Sequence, residues 1–118
     1  MRKLSEIQNE EALDVLADIL EPTIVIARDG EVKKKAKESR MAAIQYIMKN
    51  HKSALLKILA TLEGVPIEEY KVNVIQIPVK VMELLNDEDM MNFFHSQGLT
   101  ISDESSGSAT VNTEADGQ

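Results

Sequence analysis

Two histidines and several carboxylates are the residues in this chain that first suggest chemistry. A helical metal site places histidine and carboxylate ligands four residues apart. His51 instead has Met48, Lys52 and Leu55 as its helical neighbours, so we interpret it as a structural or interfacial residue. His95 lies near a predicted helix end, where a cation is favoured. The absence of cysteine excludes disulfides, thiolate zinc sites and a cysteine nucleophile.

The carboxylates do not form a recognisable reaction centre. Glu10, Asp14 and Asp18 are spaced at i, i+4 and i+8, but acid–base catalysis needs environments that separate the two pKa values. A solvated helix face provides no such separation, so this row is a hydrated surface or an acidic docking strip formed by Asp14 and Asp18. Residues 87–89 lack the alternating ligands and glycine of a calcium loop. We therefore predict no enzymatic activity, no metal and no cofactor.

Charge is unevenly distributed along the 118 residues, whose net charge is −7. Residues 31–52 carry seven basic and two acidic groups, whereas residues 1–30 carry three and seven. The candidate basic docking residues are Lys33, Lys34, Lys35, Lys37 and Arg40. The acidic total opposes phosphate binding, and no apolar run approaches the roughly 20 residues that span a bilayer. We expect neither a nucleic-acid nor a membrane partner.

The first helix is predicted to begin at Asn9 and to present a broad apolar face. That face comprises Ala12, Leu13, Val15, Leu16, Ile19 and Leu20, with Asp14 and Asp18 opposite. Pro22 is expected to end this helix or to begin the next. The apolar run Thr23–Ala27 suits either a strand or a buried helical turn, and we favour the helix because no partner strand is evident.

A single long helix over residues 40–63 is the most prominent predicted element. Its apolar residues recur at spacings of three, four and seven, which places them on one stripe. Ser39 is the predicted N-cap and Gly64 the left-handed C-terminal stop. Such a helix would be about 35 Å long.

The remaining segments are shorter and partly ambiguous. Residues 72–81 are rich in β-branched side chains, but Pro78 argues against a central strand. We predict a bend followed by a helix from Pro78 to Leu85 with Val81, Met82 and Leu85 inward, and a short β-hairpin is the alternative. Asn86 or Asp87 caps a last helix that Gly98 ends.

Together these patterns predict an all-α protein, a compact bundle of about five helices with one long central helix. The helical domain covers residues 1–101. Residues 102–118 are rich in serine, glycine and acids, and a segment of this composition cannot bury enough apolar surface to order itself. We predict a disordered acidic tail there.

Methionines and phenylalanines are the predicted partner-binding residues. Four large apolar residues fall within residues 90–94, and one helix face cannot bury them all. Two are expected in the core and two at an interface or a self-association surface. With the methionines of other helices, the candidate set is Met48, Met82, Met90, Met91, Phe93 and Phe94.

The order of several short segments resembles a known family. These segments are Glu10-Glu11-Ala12-Leu13, Leu16-Ala17-Asp18, Lys49-Asn50-His51-Lys52, Leu59-Ala60-Thr61-Leu62-Glu63-Gly64-Val65-Pro66, Glu69-Tyr70, Val72-Asn73-Val74, Leu84-Leu85-Asn86-Asp87 and Phe93-Phe94. Over residues 4–98 the chain resembles the small tail assembly chaperones of long-tailed (siphovirus-type) phages and prophages of Gram-positive bacteria.

The resemblance implies a non-enzymatic role in the bacterial host cytoplasm. Such chaperones are mostly helical, self-associate, and coat the tape-measure protein while tail-tube subunits polymerise around it. They are often made in a short form and a frameshifted long form. The implied partners are the tape-measure protein and the tail-tube protein. The alternative is an acidic phage-encoded regulatory or inhibitor protein of the DNA-mimic type that binds a host protein.

Overall fold

The computed structural model describes residues 2–101, in which all regular secondary structure is helical and no strand occurs. The all-α prediction is confirmed. The predicted tail, residues 102–118, lies outside the described residues. The elements are α1 (Asn9–Ala27), α2 (Gly30–Glu38), α3 (Arg40–Asn50), α4 (Lys52–Glu63), α5 (Gln76–Leu85) and α6 (Glu88–Ser96), with short 3-10 turns at Leu4–Glu6 and Ile67–Glu69.

The longest helix is α1, which has 19 residues and continues through Pro22. The expectation that Pro22 marks a helix boundary is therefore wrong, whereas the helical interpretation of Thr23–Ala27 is confirmed. An interior proline costs about 3 kcal/mol relative to alanine. The continuous buried face offsets that cost, because Val15 and Ile19 before Pro22 and Ile26 after it all enter the core.

The predicted long helix is interrupted at His51, which separates α3 from α4. His51 has φ −130° and ψ 46°, well outside the helical region. The apolar stripe nevertheless continues on both sides, with Ile44 and Ile47 buried in α3 and Ile58 and Leu62 buried in α4. The two halves pack against different neighbours: α3 chiefly against α2, and α4 chiefly against α1.

Most predicted helix ends are confirmed. The Ser39 side chain accepts a hydrogen bond from the Ala42 N–H at the start of α3, and Gly64 ends α4 with φ 76°. Gly98 follows α6 with φ 101°. The expected side-chain cap at Asn9 does not form: Gln8 occupies the flanking position, and Asn9 is the first helical residue, with φ 59°.

Residues 72–81 contain a helix rather than a hairpin, so the hairpin alternative is wrong. The Asn73 side chain accepts hydrogen bonds from the Ile75 and Gln76 N–H groups, and α5 begins at Gln76, two residues before the predicted start. Val81 and Leu85 point inward as predicted, but Met82 is 48% exposed.

A single apolar core joins all six helices within the described residues. Its fully buried large side chains are Ile19, Ile26, Val32, Ile58, Leu59, Leu62, Met90 and Leu99. Both α1 and α4 contribute whole faces to this core, and α6 closes it from the C-terminal side through Met90 and Phe94. None of the described helices is both long enough and apolar enough to cross a membrane.

Candidate binding surfaces

The outer side of α1 carries an exposed apolar stripe. Leu13, Leu16 and Leu20 are 69%, 44% and 40% exposed. Their spacing of i, i+3 and i+7 places them on one side of the helix, about 100° from the buried Val15 and Ile19. The predicted broad apolar face of α1 thus divides into two arcs, one in the core and one in solvent. We call the exposed arc the α1 stripe.

A second exposed stripe lies on α5 and the turn before it. Ile75, Val79 and Met82 are 76%, 60% and 48% exposed and follow the spacing i, i+4 and i+7. Val74 beside them is 78% exposed. Apolar side chains grouped in this way on a folded domain usually mark a site of interaction. We call this set the α5 stripe.

A polar cluster fastens α5 to the end of α4. The Lys80 Nζ lies 2.7 Å from the Glu63 Oε2, and the Tyr70 hydroxyl donates to the same oxygen. Burial raises the pKa of Glu63, but hydrogen bonds from Lys80 and Tyr70 outweigh burial and hold that pKa below its ordinary value. Burial, together with the hydrogen bond to Glu63, raises the pKa of Tyr70. The cluster therefore holds Glu63 charged and Tyr70 protonated at neutral pH.

An apolar groove separates α4 from α5. It has a volume of about 300 Å³ and is lined by Met48, Lys52, Leu55, Leu56, Leu59 and Ile77. Nearly all of its surface is apolar, and Lys52 supplies the one charged side chain of its lining. This composition suits an apolar side chain of a partner and offers no group for catalysis.

The six predicted partner-binding residues do not share one surface. Met90 and Phe94 are buried in the core, as expected for two of the four large apolar residues in residues 90–94, so they offer no exposed surface to a partner. Their spacing of i and i+4 places both on the face of α6 that packs into the core. Met91 and Phe93 are half-buried at the edge of the core. Only Met82 is well exposed.

The predicted charged docking residues fall on α1, on α2 and on the first residue of α3. Lys33, Lys34 and Lys37 are exposed on α2, whose Val32 and Ala36 face the core, while Lys35 and Arg40 are half-buried. On α1, Asp14 and Asp18 are exposed. The basic helix and the acidic helix are thus both available to charged partners.

The residues that sequence reasoning missed include Leu13, Leu16 and Leu20, which it grouped with Val15 and Ile19 on one broad apolar face. A signal was present in the sequence. Ala12, Val15 and Ile19 form one set at helical spacing, and the three leucines form a second set rotated by about 100°. An apolar arc that wide exceeds what one packed neighbour covers.

His51 has a structural role at the break between α3 and α4. Its Nε2 lies 2.7 Å from the Asp29 Oδ2, and both side chains are largely buried. The other oxygen of Asp29 accepts from the Glu31 N–H and caps α2. Within residues 2–101 no three histidine, aspartate or glutamate side chains are arranged to hold a metal ion.

The His51–Asp29 contact makes stability dependent on pH in the acid range. The hydrogen bond from His51 lowers the pKa of Asp29 below its ordinary value of 3.8. A carboxylate with a depressed pKa in the folded state stabilises the fold above the unfolded pKa, and this contribution is lost as pH falls through the folded pKa. We expect Asp29→Asn, which keeps a capping side chain, to lower the unfolding midpoint in urea near pH 6.

As pH falls through the depressed folded-state pKa of Asp29 and its carboxylate becomes protonated, the wild-type and Asp29→Asn midpoints should converge. Glu31→Gln, at an exposed position on the same helix, is the matched control for loss of one charge. A difference between wild type and Asp29→Asn that stays constant from pH 6 to pH 2 would contradict this account.

Comparisons of the chain with models of protein families, with curated proteins and with solved structures found no match. The function of this protein is therefore inferred from the surfaces described above and from the resemblance in sequence.

Proposed function

We propose that this protein is a phage tail assembly chaperone that binds the tape-measure protein in the bacterial host cytoplasm and keeps it soluble while the tail tube polymerises. The observation that carries the proposal is the pair of exposed apolar stripes, on α1 and α5. Leu13, Val74, Ile75 and Val79 are each at least 60% exposed. A chain with a complete core has no need of these side chains for its own folding.

The geometry of the two stripes suits helical clients. An amphipathic helix binds by laying apolar side chains at i, i+3, i+4 and i+7 against an apolar surface, and both stripes show that spacing. A tape-measure protein is long and helical in the family that this chain resembles. Covering its apolar face with a small acidic protein would keep the complex soluble, because like-charged coats repel one another.

Co-expression with a tape-measure protein tests the proposal. We expect the tape-measure protein to move from the insoluble to the soluble fraction and to co-elute with the chaperone in gel filtration. Substituting both stripes (Leu13→Ser, Leu16→Ser, Ile75→Ser and Val79→Ser) should abolish capture, because it removes most of the apolar contact area.

The control is Gln45→Ser with Lys49→Ser, which alters two exposed residues on α3 outside both stripes and should leave capture intact. Circular dichroism of both variants establishes that the helices are retained. A tape-measure protein that remains insoluble with the wild-type chain, or capture that survives loss of both stripes, would count against the chaperone role.

One observation favours the second candidate function, an acidic inhibitor that imitates DNA. Glu10, Asp14, Asp18 and Glu21 are exposed on α1 and could replace phosphates in a DNA-binding site. The leucines beside them do not fit that role. The DNA-binding surface of the host protein, which they would contact, presents mainly positive and polar groups. Binding to a basic DNA-binding protein that survives loss of both stripes but is lost at high salt would support the inhibitor.

A further inference from the structure

We propose that the α1 stripe is the docking site for a basic amphipathic helix. The inference rests on the proposed function in one respect, since the occupant is taken to be a helical segment of the client protein. It assigns to α1 a binding role that Met90 and Phe94 of α6 cannot fill from the core. It also specifies the charge of the bound segment.

The apolar part of the site is the row Leu13, Leu16 and Leu20, with Ala17 beside it. The small side chain of Ala17 lets an approaching helix come close to α1 at its centre. It also lines the shallow surface that α1 shares with α4. Three leucines at i, i+3 and i+7 provide one side of a helix–helix contact that spans about two turns.

The charged part of the site is the acidic row along one edge of the stripe. Glu10, Asp14 and Glu21 lie on the helix face next to the leucines and are exposed. None of them forms an ion pair with any residue in the described range, whereas their neighbour Glu11 pairs with Arg2 at 2.5 Å. Unpaired carboxylates beside an apolar row favour a partner with lysine or arginine along the edge of its own apolar face.

A second copy of the chain is a poor occupant. Antiparallel pairing of α1 with α1 would bring the acidic rows of two copies together, and like charges across an interface oppose association. The basic helix α2 offers lysines, but its apolar Val32 and Ala36 are committed to the core. The segment of residues 102–118 carries four acidic and no basic residues, so it does not match the site either.

Binding of a designed peptide to the full chain tests the inference. The probe is a fluorescent helical peptide of about 18 residues with leucines at i, i+3 and i+7 and lysines on both edges of that row. We expect saturable binding, measured by fluorescence anisotropy, that weakens as salt rises from about 50 to about 300 mM. Leu13→Ser with Leu16→Ser should weaken it about tenfold or more, because the variant removes two of the three leucines from the contact.

Matched controls separate the contributions. A peptide with glutamate in place of lysine should bind at least about tenfold more weakly, and a peptide with serine in place of leucine isolates charge alone. Met41→Ser, at an exposed apolar position of α3 outside both stripes, should leave binding unchanged. Ile75→Ser with Val79→Ser, the α5 variant, tests whether the peptide uses the α5 stripe instead, since binding would then be lost in that variant. Glu10→Gln, Asp14→Asn and Glu21→Gln together keep the leucines and should remove most of the salt dependence, even if the leucine variant fails to fold.

Several results would overturn the inference: no binding of the lysine peptide, equal binding of the glutamate peptide, loss of binding in the α5 variant alone, or a dimer that dissociates when Leu13 and Leu16 are replaced. The outcome is separable from that of the proposed function. Capture of a tape-measure protein that survives the α1 substitutions refutes the site and leaves the chaperone role standing. Peptide binding at α1 without capture of any tape-measure protein refutes the chaperone role and leaves the site standing.

Discussion

Replacing Phe94 by alanine should lower the free energy of unfolding by about 3–5 kcal/mol, the cost of removing a large aromatic side chain from a packed core. Phe94 is 3% exposed and lies beside Met90, which is fully buried. It also lines the small apolar cavity bounded by Ile26 and Leu85, so the space left by truncation would enlarge an existing void. Urea denaturation followed by circular dichroism measures the change.

This stability measurement also bears on function, because Phe94 belongs to residues 90–94, which the sequence predicts to contain partner-binding side chains. Val79→Ala, at a position 60% exposed, is the matched control and should change stability by less than about 0.5 kcal/mol. If Phe94→Ala were as stable as Val79→Ala, this result would contradict the placement of α6 in the core. The methionines and phenylalanines of α6 would then again be candidates for partner binding.

Replacing Asp87 by alanine should lower the free energy of unfolding by about 2–3 kcal/mol, more than a typical N-cap loss of about 1 kcal/mol. The Asp87 side chain is only 5% exposed and has two tasks. One oxygen accepts from the Asp89 and Met90 N–H groups at the start of α6, and the other accepts from the Leu4 N–H at 2.8 Å. Its removal leaves buried donors without partners, which adds to the cost.

Asp87→Asn separates the two tasks of this residue, since asparagine retains capping ability but offers only one acceptor oxygen. We expect a loss intermediate between wild type and Asp87→Ala, measured by the same denaturation experiment. Glu88→Ala, at the neighbouring exposed position, serves as the control. Equal stability of Asp87→Ala and Glu88→Ala would show that the Leu4 contact contributes nothing.

Helix type and several helix ends were predictable from the sequence because they depend on near neighbours. Ser39 caps a helix through an N–H three residues away, and Gly64 adopts a conformation that its own lack of a side chain permits. The cap at Asp87 follows the same logic. Such features need no knowledge of the tertiary structure.

The break at His51 was not predictable in this way. The apolar period continues from Ile47 to Leu55 without a fault, and no proline or glycine intervenes. The break depends on the contact of His51 with Asp29, 22 residues earlier. The spacing of apolar residues reports only on near neighbours in the chain, so it cannot reveal a contact between residues as distant as His51 and Asp29.

The candidate site was only partly predictable for a related reason. Periodicity identifies which residues of α1 and α6 are apolar and on which side they lie, but it does not say which side meets a neighbouring helix. Phe94 and Leu13 are both large and apolar, and only the packing of α1 against α4 and α6 buries one and exposes the other. Side-chain size and chemistry favour methionine and phenylalanine as partner contacts. In the folded chain, however, Phe94 is buried and Leu13 is exposed.

The interruption between α3 and α4 also affects how the chain avoids exchanging parts with its copies. A continuous helix over α3 and α4 would separate the packed pair α2 and α3 from the packed pair α1 and α4. Each pair would then pack most readily against the other pair of a second molecule, as in domain swapping. The contact between His51 and Asp29 stabilises the corner between α3 and α4, where the chain changes direction. We infer that this corner favours a closed monomeric fold over an intertwined dimer.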